Sequence, residues 1–250
     1  MPRRVLLHVG THKTGTTSIQ TFLKDENDGV LARAASHYPS GFLFPNVHMD
    51  LSLLALGPDR SWPARLRFPE TSSAAWQAAA HAHIRDQVTS GVHDRLVYVH
   101  EDLSYVRSDD EIERLDGLFE GRAVTVVVVL RDRTDFMRSY RSQLEGTGFE
   151  VSSDRASFAY VDPDSWLLDY DALVGTYRRW VGPDQVVVLD YDALMRADGS
   201  VIPAIAELIG IERGSLPPLH RYQLNQSGSH VRLPDDERAA IRRRLARLYP

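Results

Sequence analysis

The sequence predicts an α/β fold of three layers, with a central, mainly parallel sheet of four to five strands flanked by helices. Two observations predict it. Residues 5–9, 96–99, 124–130 and 185–189 are continuous apolar runs, most of them rich in valine. Runs of this kind, without polar alternation, mark strands buried on both faces. Helical patterns separate the runs, so strand and helix alternate along the chain, which implies βαβ units with right-handed crossovers.

The elements follow in order. A helix over 16–24 succeeds the first strand. An alanine-rich helix over 73–88 carries Trp76, Ala80, Ile84 and Val88 on one stripe. A helix over 109–119 precedes the third strand and one over 134–144 follows it, while 166–180 is helical ahead of the fourth. A closing helix opens on Pro234, Asp235, Asp236 and Glu237 and ends among Arg242, Arg243, Arg244 and Arg247; acid first and base last suits the helix dipole. Its arginines fit a solvated face. Two stretches, 37–62 and 146–165, are punctuated by Gly, Pro, Ser and Asp. Long irregular loops in a compact domain are often binding loops or lids. No linker, repeat or low-complexity tract divides the chain, so residues 1–250 are expected to form a single domain.

With 43% hydrophobic and 25% charged residues, the 250-residue chain can bury a full core, which excludes disordered and fibrous classes. A net charge of −5 speaks against a dedicated nucleic-acid binder. Cysteine is absent, which excludes disulfide scaffolds, zinc–thiolate sites, iron–sulfur clusters and a cysteine nucleophile. The N-terminal apolar stretch is too short for a signal peptide, and no run approaches the ~20 residues of a membrane span. These features predict a soluble, cytoplasmic protein.

The most informative segment is Gly10-Thr11-His12-Lys13-Thr14-Gly15-Thr16-Thr17. It lies between a predicted strand and a predicted helix, the setting a phosphate cradle needs. Glycines let the backbone approach an anion, and helix-start N–H groups point at it. Gly10, Gly15 and Thr17 fit the nucleotide loop G-x-x-x-x-G-K-[ST], so the fold is P-loop-like. Thr16, however, stands where that loop has lysine, and the lysine is Lys13. Only Lys13 and Lys24 are lysines; every other cation is arginine. A second arginine-rich element, Leu130-Arg131-Asp132-Arg133, ends the third strand, and Ser139 follows Arg131 on the next helix. An arginine fork suits bidentate phosphate binding, and a serine adds a neutral donor.

A lysine before Gly-Thr-Thr after a buried strand resembles the 5′-phosphosulfate loop of sulfotransferases that use 3′-phosphoadenosine-5′-phosphosulfate (PAPS). The run from His8 to Thr17 is close to that family's bacterial members. Arg131 and Ser139 resemble its 3′-phosphate element, and Tyr191, in Leu189-Asp190-Tyr191-Asp192-Ala193-Leu194, resembles its tyrosine near the adenine. Residues 205–211 resemble a further helix of the family, so the resemblance covers about residues 4–230. It implies sulfonyl transfer from PAPS to a hydroxyl or amine of a small-molecule or saccharide acceptor. The product would be adenosine-3′,5′-bisphosphate, and no metal would be required. The acceptor would enter at the loops 37–62 and 146–165.

Lys13 is then the cation for charge developing on the leaving phosphate. The general base is sought at the end of the second strand, in Val99-His100-Glu101-Asp102, where an open sheet faces its ligand. Strand alternation sends His100 and Glu101 to opposite sides, and Glu101 is preferred. His48, in a loop, is a third candidate. His12 either touches the phosphosulfate or packs the loop. The segment 225–229 either closes over the 3′-phosphate or forms a plain turn. Two further readings are a P-loop kinase using Mg-ATP, which the missing lysine at position 16 disfavours, and a non-catalytic nucleotide-binding protein on the same fold.

Overall fold

The computed structural model describes residues 4–119 and 121–222. The expected closing helix and the 225–229 segment lie outside them. Five strands form one sheet: β1 (Arg4–Gly10), β2 (Ser36–His37), β3 (Arg95–Val99), β4 (Ala123–Leu130) and β5 (Val186–Asp190). Their order is β2-β3-β1-β4-β5, and every pairing is parallel. β1 is the middle strand. Its register sets His8 against Val99 of β3, and Gly10 against Val129 of β4. The chain therefore leaves β1, β3 and β4 at one edge of the sheet, where α/β proteins bind their ligands.

The helices are α1 (Thr16–Asp25), α2 (Met49–Ala55), α3 (Pro63–Arg67), α4 (Ala74–Thr89), α5 (Asp109–Gly117), α6 (Arg133–Thr147), α7 (Tyr170–Val181), α8 (Tyr191–Asp198) and α9 (Ile202–Leu208). The central strands bury both faces, as their continuous apolar runs require. Leu6, Val97, Val99, Val127 and Val129 pack on one side with Ile19 and Phe22 of α1 and Ile202 and Ile205 of α9. Leu7, Val9, Tyr98, Val126 and Val128 pack on the other with residues of α2, α4, α5, α6 and α7. These are the three layers expected.

Three expectations change. The run 185–189 is not buried on both faces: β5 is an edge strand, and its Val188 is 41% exposed. The stretch 37–62 is not irregular throughout: α2 lies inside it. All of α2 but Met49 is buried, so it lacks the amphipathic stripe that marks a helix in a sequence. The helix expected over 166–180 is broken. Trp166–Leu168 is a short 3₁₀ turn, and α7 starts afresh at Tyr170, where Asp169 accepts a hydrogen bond from the Ala172 N–H. Aspartate at a helix N-cap sets such a boundary. No helix among the described residues is long and apolar enough to cross a membrane.

Candidate active site

The loop after β1 is fixed by its own polar groups. Thr11 donates its backbone N–H to Val129 O at 3.0 Å, and Thr14 Oγ1 donates to Thr11 O at 2.6 Å. Two residues take the left-handed conformation, Lys13 at φ 67° and Gly15 at φ 80°. Glycine at 15 has a second reason: a Cβ there would lie 3.1 Å from Val201 Cγ2 and 3.8 Å from the Tyr191 ring.

α1 begins directly after Gly15 with no side-chain cap and no acidic residue in its first turn. The other helices of eight or more residues, α4 to α8, are each capped by a Ser or Asp side chain. The first-turn N–H groups of α1 are thus open to an anion. The buried Thr16 hydroxyl has no hydrogen-bond partner among the described residues, and a buried polar group without a partner is costly unless a ligand supplies one.

Arg131 lies beside this loop. Its Nη1 donates to Lys13 O at 3.2 Å and to Ser139 Oγ at 3.1 Å. Its guanidinium carbon stands 5.2 Å from the centre of the Tyr191 ring, and its Nε has no partner among the described residues. Asp192 Oδ2 accepts the Asp132 N–H at 2.8 Å, tying the start of α8 to the end of β4. Tyr191 opens α8 rather than continuing a strand. Of the residues singled out in the sequence, Gly10, Thr11, His12, Lys13, Thr14, Gly15, Thr16, Thr17, Arg131, Ser139 and Tyr191 lie at this one edge.

The end of β3 joins the loop through His12. His12 Nδ1 is hydrogen-bonded to Glu101 Oε1 at 3.1 Å, and Nε2 faces Asp102 Oδ1 at 3.5 Å without a hydrogen bond. The His12 ring packs against Tyr105 and Tyr140, with centroids 5.1 and 4.9 Å away. Burial pulls His12 toward neutrality, but Glu101 and Asp102 outweigh it and hold the imidazole above its ordinary pKa. Burial would raise Glu101, yet His12, His100 and Lys13 bring it down to about 2. Burial, with Glu101 adding to it, pushes Asp102 up to about 7. The three side chains offer donor atoms within 4.8 Å of one another. The two ring nitrogens face different carboxylates, so the arrangement sets an imidazole of raised proton affinity between two acids.

Strand alternation does not govern His100 and Glu101: β3 ends at Val99, and His100 caps a 3₁₀ turn over Glu101–Tyr105. Its Nδ1 accepts the Asp102 N–H at 3.2 Å and lies 3.2 Å from Ser52 Oγ of α2. Burial lowers its pKa to about 3. His48 stands apart from the loop. It is fully buried; Nε2 donates to Pro39 O at 2.7 Å and Nδ1 accepts the Val99 N–H at 3.0 Å. Both nitrogens are used in fastening the 37–62 segment to β3. Asp102, Tyr105 and Tyr140 were not singled out in the sequence. Asp102 lay in the quoted strand-end run, and its adjacency to Glu101 was the available signal.

A five-stranded parallel sheet whose middle strand runs through a glycine-bounded loop into an uncapped helix defines a phosphate-loop type of α/β fold. Among solved structures, the chain is similar to a sulfotransferase from Alicyclobacillus acidocaldarius, at TM-score 0.55 and 18% identity, over 99% of this chain and 95% of that one. Retinol dehydratase, solved in complex with androsterone and the inactive cofactor PAP, is similar at TM-score 0.36 and 14% identity, over 89% of this chain and 63% of that one. No protein-family model matches the chain, and no curated protein matches it. The first likeness shows the fold: the chain has the fold of a sulfotransferase.

Two consequences are measurable. Gly15→Ala forces a side chain into a left-handed residue against Val201, which should cost about 1–2 kcal/mol. It should lower the urea midpoint at unchanged m-value, and an unmoved midpoint would contradict the constraint. His48→Gln should cost about 2–3 kcal/mol at pH 7, since it disturbs two buried hydrogen bonds. Burial depresses the His48 pKa to about 4, so the unfolded chain binds its proton first as pH falls from about 6.5. The wild-type advantage over His48→Gln should therefore be full above pH 6.5 and shrink toward pH 4. An advantage that grew on acidification would refute the neutral, doubly hydrogen-bonded state.

Proposed function

We propose that this chain is a PAPS-dependent sulfotransferase that moves a sulfonyl group to a hydroxyl or amine of a small-molecule or saccharide acceptor. The observation that carries the reading is Arg131. It touches the Lys13 carbonyl, Ser139 and the Tyr191 ring at once, so an anion-binding arginine and an aromatic platform adjoin the phosphate loop. A nucleotide with phosphates at both its 5′ and 3′ positions fits such a pair of sites. The chain's open groups also fit it: the uncapped start of α1, the unpartnered Thr16 hydroxyl and the unpartnered Arg131 Nε.

In this reading Gly10 to Thr17 hold the 5′-phosphosulfate, Arg131 and Ser139 hold the 3′-phosphate, and Tyr191 lies against the adenine. The bound donor supplies an activated sulfonyl group and a phosphate leaving group, and the residues assigned here need no metal. Lys13 is the fixed cation near the leaving oxygen, where charge grows as the S–O bond breaks. It lies close enough to His12 and Glu101 to act on both. Glu101 keeps 28% of its side chain exposed and is held ionised, so it is the group placed to take the acceptor's proton. His100 and His48, neutral and hydrogen-bonded behind it, position β3 and the 37–62 segment. That segment and 146–165 flank the acceptor's entry.

Calorimetric titration with adenosine-3′,5′-bisphosphate in a metal chelator tests the reading. Binding at ~1–10 μM is expected for a site with two charge-assisted phosphate contacts. Arg131→Ala should weaken it about 30-fold or more and Ser139→Ala about 5-fold, the sizes of a charged and a neutral hydrogen bond. Lys13→Ala should abolish turnover and leave the melting temperature nearly unchanged. Binding of Mg-ATP but not of the bisphosphate would replace this reading with the kinase. Binding of neither would favour a non-catalytic protein.

A further inference from the structure

His12 is the residue through which the phosphate loop and the β3 end touch. Its two ring nitrogens face carboxylates of different exposure. Nδ1 faces Glu101, which is partly open, and Nε2 faces Asp102, whose side chain is 10% exposed. Tyr105 and Tyr140 pack at a tilt about the ring and join their hydroxyls at 2.6 Å. Water is thus excluded from the imidazole on the sides these rings cover. Nothing in loop packing alone calls for an imidazole between two acids in such a setting.

We propose that these three side chains work as one base: when Glu101 takes the acceptor's proton, His12 gives its Nε2 proton to Asp102. The proposal rests on the reading of Glu101 as the proton acceptor above. The acceptor O–H bond breaks and a Glu101 O–H bond forms, with the electron pair staying on the acceptor oxygen. The His12 Nε2–H bond breaks and an Asp102 O–H bond forms. The form that takes up the proton is carboxylate, imidazolium and carboxylate, and it ends as two carboxylic acids about a neutral imidazole that keeps its Nδ1 proton. Its charge rises by one, that of the proton taken up, and no other reactant is needed.

The physical reason is the cost of an unpaired buried cation. The Glu101 carboxylate is what holds His12 positive against its burial. Once Glu101 is neutral, the imidazolium has lost its nearest anion, and desolvation favours releasing the proton. Asp102 is the acceptor at hand: its Oδ1 lies 3.5 Å from Nε2, which has no other partner and closes onto it as the proton passes, and burial has already raised its affinity for a proton. Coupled groups bind protons as a unit. The exposed carboxylate, weak by itself at a pKa of about 2, thereby presents the proton affinity of the buried one, close to the operating pH of a useful general base. The other groups acting on the three are Lys13 from the loop, His8 of β1, His100 of β3's end, and the Tyr105 and Tyr140 hydroxyls. Burial keeps His8 and His100 neutral near pH 7 and the two tyrosines protonated. Lys13 is the remaining cation of the set. His12 and Asp102 act through Glu101 and are positioning residues.

The test reads protons directly and needs neither donor nor acceptor. The whole chain is labelled with ¹⁵N-histidine, and His12→Gln identifies the His12 signals among the ten histidines. At pH 7 the wild type should show both His12 nitrogens protonated. Glu101→Gln mimics the protonated glutamate, and there Nε2 should be bare while Nδ1 keeps its proton. The infrared C=O band of a protonated carboxylic acid should be present in Glu101→Gln and absent from Glu101→Gln/Asp102→Asn. Glu101→Ala replaces Glu101→Gln should the latter not fold. A His12 that stays doubly protonated without the Glu101 charge, or is neutral in the wild type, overturns the proposal; so does a carboxylic-acid band that survives Asp102→Asn. If bisphosphate binding fails while His12 behaves as stated, the nucleotide assignment falls and the three-residue base stands.

Discussion

The hydrogen bond from the Thr11 N–H to Val129 O, 3.0 Å long, carries the β1–β4 ladder one residue past the last residue of β1. Much else depends on this extension. It fixes where the chain turns into the loop, so Lys13 and Gly15 enter the left-handed region at set positions. It also fixes the loop relative to Arg131, two residues beyond Val129 and just past the end of β4. The Arg131 contact with Lys13 O is thus a result of register. A slip of one residue would turn each side chain of the strand to the opposite face, parting Arg131 from the loop. The same slip would undo both cores, because β1 and β4 alternate their residues between two buried faces.

Much of this architecture was legible in the residues. The valine-rich runs marked the strand ends within one residue: β1, β3 and β4 are buried on both sides and have no polar alternation to blur their limits, whereas the edge strand β5 exposes Val188 and was legible from its valines alone. The Gly10–Thr17 segment and Arg131, far apart in sequence, were each legible as a strand end followed by a helix start, and the structure brings them together. What escaped was context. α2 is buried almost all round, so its composition shows no stripe. His48 and His12 look alike in a sequence, each a loop histidine, yet one has both nitrogens consumed by backbone groups and the other has both facing acids. Only the neighbours distinguish them. Asp102 was overlooked because its importance lies in its burial, and alternation alone does not reveal burial beyond a strand's last residue.

The charges at the site oppose those of the whole chain. The protein carries −5 overall, a poor setting for an anionic ligand at long range. The carboxyl edge of the sheet reverses this locally with Lys13, Arg131 and the α1 N-terminus, while Glu101 is matched by the His12 imidazolium. Exposed charges farther away than about a Debye length, ~8–10 Å at physiological salt, are largely screened. The near groups therefore decide what binds, and an acidic surface is compatible with an anion site.

His12 gives the loop a second role. A loop that only cradled an anion would be served by any residue at that position, since its N–H groups do the binding. An imidazole there joins the loop to the carboxylate just past the end of β3, and through Tyr105 and Tyr140 to α6, the helix that carries Ser139. The two sites are mechanically one because the register of β1 between β3 and β4 leaves their ends side by side. The electrostatics of the buried histidine then makes the coupling chemical as well as geometric.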